Sequence, residues 1–224
     1  MKRIALLALF TGLVLTSCNK STKEYYYNRD FYESFFPPYV KRCEKFIRRV
    51  ERDKNSDIVF LGDSITEGFP IKKYFGKYKI ANRGISGDYT DGVIDRLEFS
   101  VYDLNPKIVY LMIGTNNLYS CMNNYEFILS GIKEHCPNLK VLVMSITPRH
   151  GDDLMQKIRE KNVEIEKLSG KYGYFYINTF TAMTLNNDNL TVNNDLFKDG
   201  LHPNSNGYKV IANTIKPTID NWLK

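Results

Sequence analysis

Histidine is scarce in this chain: His135, His150 and His202 are the only three among 224 residues. They show no His-Glu pairing, and the four cysteines, Cys18, Cys43, Cys121 and Cys136, include no Cys-x-x-Cys, so the sequence offers no set of zinc ligands. The nearest approach to a dinucleotide fingerprint, Gly84 to Gly87, is too short and lacks the expected acidic partner. No apolar run is long enough to span a bilayer as a stable helix. No internal repeat occurs, and charge of neither sign dominates: the formal net charge is +6. These absences point to an enzyme or binding protein with no metal, no cofactor and no nucleic-acid partner.

What is present begins with a leader. Lys2 and Arg3 precede a mostly apolar core, Ile4 to Leu15, and Leu15-Thr16-Ser17-Cys18 closes it. A Cys directly after small residues resembles a bacterial lipobox, in which Cys18 is lipidated and becomes the mature N-terminus; the alternative is an ordinary secretory signal. Residues 1–17 are thus expected to be a lipoprotein signal peptide and 18–24 a flexible tether, with residues 25–224 as a single domain. The expected location is the bacterial cell envelope, with the membrane reached through acyl chains on Cys18 rather than a spanning helix. With Cys18 lipidated, Cys43, Cys121 and Cys136 remain, an odd number that closes at most one pair within the chain, so this is not a disulfide scaffold. Cys121 and Cys136 flank a predicted helix and either pair or remain free thiols.

Tyr25 to Tyr39 is dense in aromatics, including Phe31, Tyr32, Phe35 and Phe36. Such a segment is expected to wrap onto the domain, carbohydrate stacking being the alternative. Lys41, Arg42, Lys45, Arg48 and Arg49 follow on a predicted helix, opposite Val40, Phe46, Ile47 and Val50, and read as a solvated face. Beyond them apolar runs alternate with helical patterns. Strands are expected at Ile58–Leu61, Tyr78–Ala81, Ile108–Ile113, Val141–Met144 and Tyr174–Ile177, and helices at Thr90–Tyr102, Tyr125–His135 and Asp153–Leu168. This alternation predicts right-handed βαβ units and a parallel sheet of about five strands covered on both faces. Thr181 to Lys198 is polar and reads as a long loop bordering the site.

Four segments carry chemistry, and the first three fall where a predicted strand ends, which is where open α/β sheets place their sites. They are Gly62-Asp63-Ser64-Ile65, Asn82 to Asp88, Gly114-Thr115-Asn116-Asn117, and Asp199-Gly200-Leu201-His202-Pro203. A serine hydroxyl needs a neighbouring base to take its proton during attack. His202 alone among the histidines has a carboxylate at fixed short range, Asp199, and Pro203 biases it away from helical geometry. Ser64 would start a helix with its backbone N–H pointing outward, Gly87 would let the backbone approach a substrate closely, and Asn116 carries an amide N–H. Asp63, Glu67, Arg83 and Asp88 read as structural or rim residues. Asn204 or Ser205 caps the last helix.

This ordered set resembles the SGNH (GDSL-type) hydrolase family from about Ile58 to the C-terminus. The resemblance implies a flavodoxin-like three-layer α/β/α sandwich. It makes Ser64 the nucleophile and Asp199 and His202 its acid-base partners, with Ser64, Gly87 and Asn116 donating to the oxyanion. Two positions depart from the common pattern: Ile65 replaces Leu, and Asn117 stands where many members carry Asp. Ile58–Gly68 and Asn82–Arg96 look most like the branch related to platelet-activating-factor acetylhydrolase catalytic subunits. The expected activity is hydrolysis of a carboxylic ester through an acyl-Ser64 intermediate, and the envelope location favours acetyl esters on glycans. The rival readings are a lysophospholipase or thioesterase with the same site, and a non-catalytic glycan-binding lipoprotein.

Overall fold

Apolar side chains on both faces of a strand require cover on both sides, and the sheet has it. The computed structural model describes residues 23–151, 153–188 and 190–224; Cys18, the signal region and most of the expected tether lie outside the described residues. In chain order the helices and strands are α1 (Arg29–Phe35), α2 (Pro37–Ile47), α3 (Val50–Asp53), β1 (Ile58–Gly62), α4 (Ser64–Glu67), α5 (Ile71–Phe75) and β2 (Ile80–Gly84). They continue with α6 (Thr90–Asp95), α7 (Leu97–Ser100), β3 (Ile108–Met112), α8 (Met122–His135), β4 (Lys140–Met144), α9 (Leu154–Lys171), β5 (Phe175–Ile177), α10 (Thr179–Ala182) and α11 (Ser205–Trp222).

The five strands are parallel, in the order β2-β1-β3-β4-β5. Because strand side chains alternate, Ile58, Phe60, Ile108, Tyr110, Leu142 and Met144 face one layer, where they meet Phe75 of α5 and Ile211 and Ile215 of α11. Val59, Leu61, Val109, Leu111, Val141 and Val143 face the other, against Phe46 of α2, Tyr125 and Ile128 of α8, and Ile158 and Ile165 of α9. The result is the expected three-layer sandwich. Each such fully buried aliphatic or aromatic side chain contributes roughly 1.5–3 kcal/mol relative to exposure.

Register sets where the site lies. Gly62 pairs with both Gly84 and Met112, so the chain leaves β1, β2 and β3 at one level on the carboxyl edge of the sheet. Strand order reverses across β1, which opens the crevice between the turns after β1 and β3.

The structure corrects several expected boundaries. β2 runs on through Asn82-Arg83-Gly84, since Arg83 is buried and paired with Asp53 (3.0 Å) rather than ending the strand as a polar residue in water. The helix expected over Thr90–Tyr102 breaks at Arg96 (φ −116°, ψ 9°), whose guanidinium turns inward. Thr181–Lys198 contains 3-10 turns at Leu185–Asn187 and Asn194–Leu196 and an antiparallel bridge between Thr184 and Val192. Arg42 is not on a solvated face: its Nε donates to the Gly84 carbonyl (3.2 Å). The aromatic segment does wrap onto the domain, with Tyr25, Tyr27, Tyr32 and Phe36 packed on the core. Lys23, at the end of the expected tether, is held by Glu98 and Asp103. Cys43, Cys121 and Cys136 are free thiols. Cys121 and Cys136 bracket the 14 residues of α8, and a helix rising about 1.5 Å per residue keeps their thiols far beyond bonding distance.

Candidate active site

Ser64 is the first residue of α4, placed there by the preceding Asp63, whose Oδ1 accepts from the Ile65 N–H (2.9 Å) and caps the helix. Asp63 is buried, and burial pushes its carboxyl up to about 7, the nearby Asp88 adding to the effect. The Ser64 Oγ lies 2.9 Å from His202 Nε2, joining residues 138 positions apart in sequence.

His202 is held by its own turn. Asp199 Oδ1 accepts from the backbone N–H of His202 (2.7 Å) and of Leu201 (3.1 Å), while Oδ2 lies 2.7 Å from His202 Nδ1. The hydrogen bonds from His202, backbone and ring, bring the Asp199 carboxyl down to about 2, so it is ionised at neutral pH and accepts a hydrogen bond from Nδ1–H, the proton staying on the ring. That tautomer leaves Nε2 with a lone pair toward the Ser64 hydroxyl. Gly200 sits at φ +75°, where a side chain would be strained and its Cβ would come within 3.0 Å of the His150 ring. The His150 N–H donates to the Gly200 carbonyl (2.9 Å), and its ring bonds Asn194. His150 thus buttresses the turn that carries His202. Asn204 caps α11 through Asn206 N–H (2.8 Å) and Gly207 N–H (3.2 Å), fixing the other side of that turn.

The second and third segments meet each other. Asn116 Nδ2 donates to the Asp88 carbonyl (2.9 Å), which ties the turn after β3 to the loop that contains Gly87; the second amide N–H of Asn116 is not needed for this bond. Gly87 is at φ +76° and faces the Phe36 ring. Asn117, in the position where a carboxylate is common, donates to Thr90 Oγ1 (2.9 Å) and so still braces this junction.

Two supports were not legible as functional. The first is a buried ion pair. Arg96 donates to Asp88 Oδ2 from Nε (2.9 Å) and Nη2 (2.7 Å), to the Arg83 carbonyl (2.7 Å) and to the Gly62 carbonyl (3.0 Å). One guanidinium therefore joins the ends of β1 and β2 to the Gly87 loop. Removing either partner of such a pair strands a buried charge, at a cost of about 3–5 kcal/mol. The second is Glu67, one turn after Ser64, whose Oε2 accepts from Ser86 N–H (2.6 Å) and Ser86 Oγ (2.8 Å), while Oε1 pairs with Arg42 (3.3 Å). The available signal was an acid at i+3 from the nucleophile on a one-turn helix, too common a pattern to single out. Among the described residues no group of three or more His, Cys, Asp or Glu side chains is placed to hold a metal ion.

A parallel three-layer sandwich with a Ser-His-Asp array at its carboxyl edge is the arrangement found in hydrolases of the GDSL class. Residues 60–210 match the GDSL-like Lipase/Acylhydrolase family, and the chain belongs to that family. Over 129 residues it is 35% identical to the platelet-activating factor acetylhydrolase IB subunit beta homolog of Drosophila melanogaster, covering 52% of this chain and 55% of that protein. The chain spans about half the length of the curated relatives it matches. Among solved structures it is similar to a GDSL-like lipase of Bacteroides thetaiotaomicron (25% identity, TM-score 0.67, 87% of this chain and 98% of that one). It also resembles a Streptococcus pneumonia protein described as a platelet activating factor (TM-score 0.75, 85% of this chain and 97% of that one), a likeness of fold alone at 23% identity.

Proposed function

We propose that this hydrolase is a serine esterase that cleaves short-chain, acetyl esters on carbohydrates. The observation that carries the reaction type is the relay from Ser64 Oγ to His202 Nε2 (2.9 Å) and from His202 Nδ1 to Asp199 (2.7 Å). As His202 takes the hydroxyl proton, Ser64 Oγ attacks the ester carbonyl and a tetrahedral oxyanion forms. The backbone N–H groups of Ser64 and Gly87 and the amide of Asn116 are the donors proposed for it. Collapse breaks the bond to the alcohol, which leaves with the proton from His202, and an acetyl-Ser64 remains. Water, deprotonated by the same imidazole, then attacks that ester and releases acetate.

Acyl length is read from the side chains that would have to wall a long chain. Of the apolar residues around the site, Met183 is fully buried in the core layer covered by α5 and α11, while Met122, at the start of α8, and Leu154, at the start of α9, pack against the core of the opposite layer. Leu185 is 45% exposed. A long-chain enzyme gains roughly 0.8 kcal/mol per buried methylene from a continuous apolar wall, and these four residues do not supply one. The acetylhydrolase name of the Drosophila relative agrees with this reading. Lipidation at Cys18 and residence in the cell envelope, proposed from the leader pattern, would place the site beside envelope glycans. An acyl-chain-length series on 4-nitrophenyl esters tests the proposal: the acetyl ester is expected to be cleaved fastest, and a profile peaking at eight or more carbons overturns the acetyl assignment.

A further inference from the structure

The aromatic N-terminal segment does more than cover the core. Between it and the Gly87 loop lies a cavity of about 450 Å³, within the range of small-ligand sites. Phe31, Tyr32 and Phe36 line one wall, and Tyr89, Asp91 and Asp95 the other. Gly87 itself is part of the lining, against the Phe36 ring, and the next residue's carbonyl holds Asn116. The cavity is therefore continuous with the loop proposed to bind the oxyanion.

Its chemistry is specific. Phe31 and Tyr89 remain 54% and 42% exposed, aromatic surface that gains by stacking on a ligand. Tyr32 is stacked on Tyr39 at 4.1 Å, and Tyr39 is anchored by its hydroxyl to the Gly92 carbonyl (2.7 Å), so this aromatic wall is rigid before any ligand arrives. Each carboxylate already holds a donor: Tyr32 hydroxyl on Asp95 (3.1 Å), Asn124 amide on Asp91 (2.6 Å) and Arg96 on Asp88. Bound in this way, Asp91 and Asp95 retain lone pairs for further hydroxyl donors, while their charge is partly answered. Rings for apolar C–H faces and carboxylates for hydroxyls make the complement of a pyranose. Aromatic faces beside acids also attract organic cations, which makes phosphocholine the competing ligand to test.

We infer that this cavity is a saccharide subsite, holding a neutral sugar ring of an oligosaccharide whose neighbouring acetylated unit is presented to Ser64; the inference rests on the glycan-ester reading above. The test separates the two by measuring binding without turnover. Calorimetric titration of Ser64→Ala protein with unacetylated xylotetraose, mannotetraose and chitotetraose is expected to show binding of at least one, weakened ten-fold or more by adding Phe31→Ala or Tyr89→Ala. In parallel, the ratio of kcat/KM on the corresponding acetylated oligosaccharide to that on 4-nitrophenyl acetate is expected to fall ten-fold or more in each single aromatic variant. Binding by none of the three sugars overturns the subsite, as does equal binding by the aromatic variants, or capture of phosphocholine in preference to every sugar. Sugar binding that depends on Phe31, in a protein that deacetylates no glycan, supports the subsite and removes the acetylesterase reading instead.

Discussion

Replacing Glu67 by Ala tests whether the Gly87 loop must be held in place for catalysis. The carboxylate accepts two hydrogen bonds from Ser86, at 2.6 and 2.8 Å, and pairs with Arg42 at 3.3 Å. A hydrogen bond to a charged group contributes about 1.5–3 kcal/mol, and a partly exposed ion pair no more than about 1 kcal/mol. Ser86 is exposed, so water recovers part of this in the variant. About 2 kcal/mol of loop ordering is then lost, and at 1.4 kcal/mol per factor of ten the ceiling on the rate effect is roughly 30-fold. The loss is expected in kcat with KM little changed, because an oxyanion donor acts on the transition state. Alanine is the best helix former, so α4 and its Ser64 keep their place. Glu67→Gln keeps an acceptor for the Ser86 N–H and should lose less, about five-fold or under by the same arithmetic. Steady-state kinetics on 4-nitrophenyl acetate, with circular dichroism to verify folding, give the answer. A folded Glu67→Ala protein with kcat within two-fold of the parent would refute the reasoning.

Ser64→Ala and His202→Ala should each remove most turnover, and the double variant should be little worse than either, since the two act as a unit; additive losses would contradict the relay. Asp199→Asn should cost less than Ser64→Ala, since it disturbs the imidazole rather than deleting the nucleophile, and equal losses would count against that order. Stability should carry two opposite pH dependences. Asp63, raised to about 7, stabilises the fold fully below the ordinary carboxylate value and loses that contribution as pH rises toward 7. Asp199, lowered to about 2, stabilises above the ordinary value and loses its contribution as pH falls toward 2. Thermal melts of Asp63→Asn, which keeps the acceptor for the Ile65 N–H, should therefore show a flatter decline from pH 4 to 7 than the parent; an unchanged slope would remove Asp63 as its source. Cys18→Ala should move the protein to the soluble fraction with hydrolysis intact, and a variant still on membranes after a salt wash would end the lipidation proposal.

How much of this was legible depended on how local each interaction is. The apolar runs and the turns that follow them depend on neighbours in sequence, so β1, β3, β4 and the position of Ser64 at a strand end could be read directly. So could the Asp199–His202 pair, whose carboxylate and imidazole are three residues apart, and the Asn204 cap. Where a polar residue is solvated by the protein itself, the pattern misled. Arg83 continues β2 because Asp53 meets it, and Arg96 breaks a helix because Asp88 and two carbonyls take its donors. Neither partner is marked in a local window, since burial of a guanidinium is decided by groups brought together only after the sheet forms. The same holds for the Ser64–His202 contact across 138 residues, for Arg42 and Glu67 bracing Ser86, and for Phe36 against Gly87. The sequence by itself determined the chemical groups and the strand ends that display them; the tertiary structure decided which groups meet, because hydrogen bonds and packing act over a few ångströms in space whatever their separation along the chain.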